Sequence, residues 1–147
     1  MTPPRTPPHQ VAGPQARPGL GASGSGRVIA MSTEPSYQGT DFYCDVAISR
    51  AVPLDVVHED DLVLAYHHTR PFWQVHLVAV PKRHIASFTT AGPADEADVR
   101  ALLAVVQRLA REVEEQHGAA AVLTNLGTYQ DSKHLHVHVH SGPQLRP

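Results

Sequence analysis

His134-Leu135-His136-Val137-His138-Val139-His140, closed by Ser141-Gly142, sets four histidines at alternate positions of one short run. A strand has a side-chain period of two, so this spacing puts all four imidazoles on one face and turns Leu135, Val137 and Val139 toward a core. Same-face neighbours along a strand stand roughly 6.5–7 Å apart, close enough for two rings to reach one bound group. A solvated half-buried strand carries Thr, Lys or Glu on its wet face, and nothing structural calls for four imidazoles there. The run therefore reads as a strand that carries chemistry.

Working outward, the chain changes character at Asp41. Phe42, Tyr43, Val46 and Ala47 suggest a short helix that ends before Pro53. Leu54–His58 and Leu62–Tyr66 read as a hairpin around Glu59-Asp60-Asp61. Val75–Val80 is a third strand, closed by Pro81. Pro93 with the acids Asp95, Glu96 and Asp98 marks a helix start, where negative charge meets the positive end of the helix dipole. Val99, Leu102, Leu103, Val106, Leu109 and Val113 recur at helical spacing, and Gly118 is a natural residue to follow the last turn. Ala120–Thr124 and His134–His140 complete five strands. The expected domain, residues 41–147, is α+β: an antiparallel sheet with one short and one long helix. Residues 1–40 hold Pro3, Pro4, Pro7, Pro8, Pro14, Pro18, Pro35 and a Gly19–Gly26 patch, with no periodic apolar face. They read as a disordered tail, and Met31 is a candidate true start.

Composition narrows the function. At 147 residues the chain has single-domain length. Its net charge is −2; Arg5, Arg17, Arg27 and Glu34 give the tail +2, which leaves −4 for the remainder. That is a poor footprint for duplex nucleic acid, so no nucleic-acid partner is expected. No apolar stretch approaches the roughly 20 residues of a membrane span, and no signal-peptide run opens the chain. A cytoplasmic enzyme acting on a small molecule is the default. Cys44 is the only cysteine, which excludes an internal disulfide and a zinc cluster built of cysteines alone.

The histidine run resembles the signature of the histidine triad (HIT) family, His-φ-His-φ-His-φ-φ with φ apolar. His134 through Val139 fill six positions, and His140 stands where the seventh is normally apolar. The resemblance continues upstream in Leu64-Ala65-Tyr66-His67-His68-Thr69-Arg70-Pro71 and in Val75-His76-Leu77-Val78-Ala79-Val80-Pro81-Lys82-Arg83-His84. It continues in Asn125-Leu126-Gly127 and in Gln130, four residues before His134. About residues 41–142 are covered.

This resemblance implies a nucleotidyl hydrolase or transferase that cleaves a phosphoramidate or phosphoanhydride bond of a nucleotide conjugate. It assigns His136 as the nucleophile, and the chemistry agrees. A neutral imidazole with an ordinary pKa of about 6.5 is nucleophilic at pH 7, and a nucleotidyl-histidine splits one hard displacement into two easier ones. His138 is placed to contact phosphate oxygens or the departing group, while His134 and His76 tune tautomer and protonation. Asn125 and Gln130 would orient a phosphate oxygen or leaving group without altering charge. Relatives carry an acid after the second strand that grips ribose hydroxyls; here His68 stands there, followed by Thr69. Relatives also carry Ser or Thr three residues before the first histidine; here that place is Asp131, with Ser132 beside it. Trp73 is either a wall of the pocket or a partly buried loop anchor. Some relatives hold a structural zinc through a Cys-x-x-Cys near this Cys44; with one thiol present, neither zinc nor any other cofactor is expected. Family members of this size usually pair, which implies a homodimer through the long helix and a neighbouring strand edge. Two other readings stay open. One is a histidine-cluster metal-binding protein or metal-dependent hydrolase, since His-x-His on a strand is also a zinc-ligand pattern. The other is a non-catalytic nucleotide-binding module.

Overall fold

The structure, a computed structural model, describes residues 41–147; the expectations of a disordered tail and of a start at Met31 lie outside the described residues. Five strands form one antiparallel sheet: β1 (Val56–Glu59), β2 (Val63–His67), β3 (Trp73–Pro81), β4 (Ala121–Leu123) and β5 (Val137–Gln144). Their order across the sheet is β1-β2-β3-β5-β4, so β5 runs between the long strand β3 and the short edge strand β4. The expected fold class is the one observed.

The helix α1, Glu96–His117, packs on one face of the sheet. It follows a short 3-10 turn at Pro93–Asp95, where Asp95 accepts the backbone N–H of Gly92 at 2.9 Å. Arg83, just past β3, reaches across to Asp95 and grips Asp98 through two nitrogens at 2.9 and 3.1 Å. These carboxylates also meet the positive end of the helix. Gly118 ends α1 with φ of +80°, a conformation in which only glycine avoids a Cβ penalty. Leu102, Val105, Val106, Leu109 and Val113 turn inward onto Ala65, Leu77, Ala79, Leu135, Val137 and Val139. Fully burying one such side chain contributes about 1.5–3 kcal/mol. Leu103, expected inside, is instead 54% exposed. It sits 100° round the helix from Leu102, and Val105 takes the inward place the sequence reading gave to it.

The opposite face of the sheet is covered by the segment Tyr43–Ile48, wound as a wide helical turn. Phe42, Tyr43 and Ala47 pack there on Leu64, Tyr66, Val78 and Val80. The β1–β2 hairpin closes as expected, with Asp60 Oδ1 accepting the N–H groups of Leu62 and Val63, both at 2.8 Å. Strand β5 differs from expectation at both ends: it starts at Val137 and runs on through Gln144, so His134 and His136 lie on its extended lead-in. The extension is possible because Gly142 takes φ of +81°, beside a bulge between Trp73 and Val75 of β3. A Cβ at Gly142 would lie 2.7 Å from Gln74 Oε1, so the glycine is required twice over.

Candidate functional site

The alternation of the histidine run holds: Leu135, Val137 and Val139 enter the α1 core, and the histidines take the other face. That face is not open. His134, His136 and His138 are all buried, and Tyr43 of the N-terminal segment lies over His136 with ring centroids 4.8 Å apart. The expected nucleophile is therefore not on a solvated face: residues 41–48 cover His134 and His136, and His68 and His76 pack against His138.

The hydrogen-bond partners fix each ring's tautomer. His136 Nδ1 lies 2.7 Å from the carbonyl oxygen of His134, which can only accept. His136 therefore donates from Nδ1 and keeps its lone pair on Nε2. Burial and the neighbouring His134 pull its pKa below the ordinary value, although the carbonyl partner works the other way. Thr124 Oγ1 donates to the His136 carbonyl at 2.7 Å and ties this lead-in to the end of β4.

His76 Nδ1 accepts the backbone N–H of Phe72 at 3.0 Å, which puts its proton on Nε2. That N–H donates to His138 Nδ1 at 2.9 Å and leaves the His138 proton on Nε2. Burial, reinforced by the neighbouring histidines, holds His76 neutral with its pKa down to about 3 and His138 down to about 2. His68 stacks on His76 with ring centroids 4.3 Å apart. Its Nδ1 accepts the N–H of Arg70 at 3.0 Å, and its buried Nε2–H has no partner among the described residues. Burial takes its pKa down to about 4. His68, His76 and His138 offer nitrogens within 4.8 Å of one another. Backbone donors hold the Nδ1 lone pairs of His68 and His76, however, and the one lone pair turned inward, on His138 Nδ1, is taken by the His76 N–H. It is built to pass or donate hydrogen bonds and poorly built to ligate a metal.

His134 belongs to a second cluster of the opposite kind. Its Nε2–H donates to the Pro81 carbonyl at 2.7 Å, which leaves the Nδ1 lone pair facing Asp41 Oδ2 at 3.0 Å and Cys44 Sγ at 3.4 Å. His84 Nδ1 comes to 2.5 Å from the same carboxylate oxygen and 3.7 Å from the thiol. The other carboxylate oxygen of Asp41 is used locally, accepting the N–H groups of Tyr43 and Cys44. Burial alone would raise the Asp41 carboxyl; hydrogen bonds from Cys44, and from His134 whenever its Nδ1 also carries a proton, hold it down at about 2. Burial and the facing carboxylate push the Cys44 thiol up to about 12. Four donor atoms thus converge within 4.8 Å of one another. Around a tetrahedral zinc, with bonds of about 2.0–2.3 Å, such atoms stand roughly 3.3–3.7 Å apart. The donor types fit that ion, and the two imidazole-to-carboxylate separations, 2.5 and 3.0 Å, would open to admit it. The expectation of no zinc counted thiols alone; Asp41, three residues before Cys44, stands where the second thiol was sought. His84, at the end of the Pro81-Lys82-Arg83-His84 stretch, completes the set. Both spacings were visible in the sequence.

The remaining expected residues divide. Asn125, Asp131 and Ser132 line one pocket with His136 and His138, joined by Tyr43 and Tyr129, which the sequence reading did not assign to a site. Gln130 does not face it: its amide donates to the carbonyls of Ala86 at 2.7 Å and His134 at 3.3 Å, so it fixes the loop. Thr69 is exposed and His68 buried, and neither lines the pocket. Trp73 stacks on His140, centroids 3.6 Å apart, and meets His76 edge-on. It braces the histidine face from the side, which explains an aromatic ring at the seventh signature position.

Comparison with known proteins agrees with this geometry. The model of the HIT domain matches residues 49–145. An uncharacterized HIT-like protein of Synechococcus elongatus is 34% identical over 99 residues, covering 67% of this chain and 87% of the relative. A HIT-like protein of Synechocystis is 31% identical over 96 residues, 65% of this chain and 84% of that one. Among solved structures, a HIT family hydrolase of Legionella pneumophila superposes with a TM-score of 0.62 at 26% identity, over 72% of this chain and 96% of its own. A histidine triad protein of Clostridium difficile gives 0.61 at 29% identity, over 73% and 94%. With its histidine run seated between β3 and β4 as the sheet order requires, the chain belongs to the HIT family.

Proposed function

We propose that the protein is a nucleotide hydrolase or transferase that cleaves a phosphoramidate or phosphoanhydride bond through a nucleotidyl-histidine on His136. The observation that carries this reading is the pair of tautomers. His136 presents a lone pair on Nε2, and His138, lining the same pocket, presents an N–H on Nε2. A nucleophile beside a neutral hydrogen-bond donor suits attack on phosphorus. The Nε2–P bond forms as the bond to the leaving group breaks. Positive charge appears on the ring and is met by the His134 carbonyl at Nδ1. Water then attacks the phosphorus and restores His136. Over the cycle one water is consumed, its hydroxyl going to phosphorus and its proton to the departing group. His76 keeps the His138 proton on the correct nitrogen, while Asn125 and Ser132 contact phosphoryl oxygens.

Zinc held by Asp41, Cys44, His84 and His134 would be structural, with all four tetrahedral positions filled by protein. Bound there, it would tie residues 41–44 to the histidine run and deprotonate the thiol. The metal-dependent hydrolase reading is disfavoured by the protons that point into the other cluster. The experiment is a quench of enzyme with a radiolabelled adenosine 5′-phosphoramidate, followed by peptide mapping. Label is expected on His136, and His136→Ala should lose label and at least about a thousandfold of turnover while staying folded. Full activity in the alanine variant overturns the reading.

A homodimer is also proposed. The exposed side of α1 carries Leu103, facing a cavity it shares with Ala104, Ala110 and Val122 of the edge strand β4. An unpaired edge beside apolar residues is a natural contact for a second copy. Light scattering at micromolar concentration should give twice the chain mass, and Leu103→Glu should halve it; a monomeric wild type overturns this.

A further inference from the structure

The pocket that holds His136 and His138 contains no lysine or arginine. Both imidazoles are neutral by their surroundings, so the only formal charge in its lining is the carboxylate of Asp131. Among the described residues Asp131 makes no hydrogen bond or ion pair; partial desolvation raises its pKa, and the charge of nearby Lys133 works the other way. Lys133, two residues on, directs its ammonium to the carbonyls of Gly127 at 2.9 Å and Gln130 at 3.0 Å. An anionic phosphate would therefore enter a pocket whose one charged lining group is negative. Position decides what balances it. Ser132, His136 and His138 are buried and form the floor, while Asp131 and Tyr129 are exposed and form the rim. The nucleophile meets phosphorus at the floor, so the rim meets the part of the substrate that projects toward solvent. An unpaired carboxylate and an aromatic ring, 80% exposed, on one rim is a pairing that recognises an organic ammonium.

From this we infer that Asp131 selects conjugates whose leaving group carries a positive charge; the inference rests on the hydrolase reading above. The substrate class is then a nucleoside 5′-phosphoramidate of a diamine or similar base, with an ammonium a few atoms beyond the scissile P–N bond. A carboxylate-bearing leaving group is rejected by like charge at the same rim.

The test uses three adenosine 5′-phosphoramidates of matched length whose nitrogen substituents end in an ammonium, a hydroxyl or a carboxylate. kcat/KM is measured for the full chain, for Asp131→Asn and for Asp131→Ser, at low and high salt. The wild type should favour the ammonium conjugate over the hydroxyl conjugate by about twofold to fivefold, in keeping with one exposed ion pair. High salt should shrink that ratio, and both variants should bring it close to one. A wild-type ratio near one, or a ratio that survives Asp131→Asn, overturns the inference while leaving the hydrolase reading in place. It is equally overturned if millimolar Mg2+ lifts the hydroxyl conjugate to the level of the ammonium one, since the carboxylate then serves a metal. No turnover of any of the three by the wild type overturns the hydrolase reading, and this inference with it.

Discussion

Two histidine clusters flank His136, and they differ in what they aim inward. On one side His134 turns a lone pair toward Asp41 and Cys44, and His84 Nδ1 meets the same carboxylate. On the other side His68 and His76 turn N–H groups inward, that of His76 to His138 Nδ1, and His138 turns its own N–H toward the pocket. Counting histidines cannot tell the two apart, because both put several imidazoles within bonding reach of a common centre. The backbone tells them apart. A carbonyl, that of Pro81, takes the proton of His134 and frees its inner nitrogen; amides, those of Phe72 and Arg70, take the lone pairs of His76 and His68 and leave protons inside. The first arrangement is a ligand set and the second a chain of donors, and His136 takes its tautomer from the carbonyl of the residue that joins the first.

The largest effect should come from the ligand set. Protein purified without an affinity tag should carry about one zinc per chain by elemental analysis. Asp41→Ala should bring that near zero and lower Tm by at least about 5 °C, the loss of a ligand-linked stabilisation of a kcal/mol or more. His76→Gln should leave the metal content unchanged. Zinc that follows His76 and not Asp41 would reverse the assignment of the two clusters.

The donor cluster should show itself as acid sensitivity. Burial lowers the pKa of His68 to about 4, of His76 to about 3 and of His138 to about 2. These rings stay neutral in the native state, while in the unfolded chain they take up protons below about pH 6.5. Their contribution to stability is therefore fully present above pH 6.5 and is lost as pH falls toward the native values. On the order of 1–2 kcal/mol per ring should be gone by pH 5. Urea midpoints measured from pH 7.5 to 4.5 check this, and His76→Gln should flatten the slope. A midpoint that rises on acidification would mean the rings are charged in the native state.

The same contrast explains what could be read from the sequence. The alternation at 134–140 gave the strand, the faces and the family, because a period of two is a local property. The other strands and α1 followed from similarly local signals, whereas the order across the sheet did not. Burial of the histidine face was not legible, since it depends on residues 41–48 folding back over a run some ninety positions away. Nor was the split between the clusters. It rests on which backbone group meets which ring nitrogen, and a one-letter sequence carries no trace of that. Asp41-x-x-Cys44 and His84 were in plain view, but each is an ordinary residue until the fold brings it to His134. Gln130 shows the reverse error: its spacing to His134 suggested a ligand contact, and its amide instead holds the loop carbonyls.

The smallest effect expected is at His68, and it probes the donor cluster from the ligand's side. This ring stands where relatives carry an acid, and it reverses the polarity of the position: a buried N–H without a partner among the described residues replaces a carboxylate that accepts from hydroxyls. Leaving a buried donor unmade costs about 1–3 kcal/mol, so the site is strained toward a ligand or neighbour that can accept. His68→Asp restores the acceptor. A hydrogen bond to a charged group contributes about 1.5–3 kcal/mol against about 1 for a neutral pair. The aspartate variant should therefore bind a purine nucleoside monophosphate several-fold more tightly by calorimetry. KM should change more than kcat, because ribose contacts persist from ground state to transition state. Stacking against His76 is lost in the same variant, so Tm and the His136 labelling are followed alongside to separate recognition from packing. Unchanged or weaker binding in a folded, labelling-competent variant would mean that the His68 position no longer serves a ribose. The donor cluster would then be matched to an acceptor on some other part of the substrate.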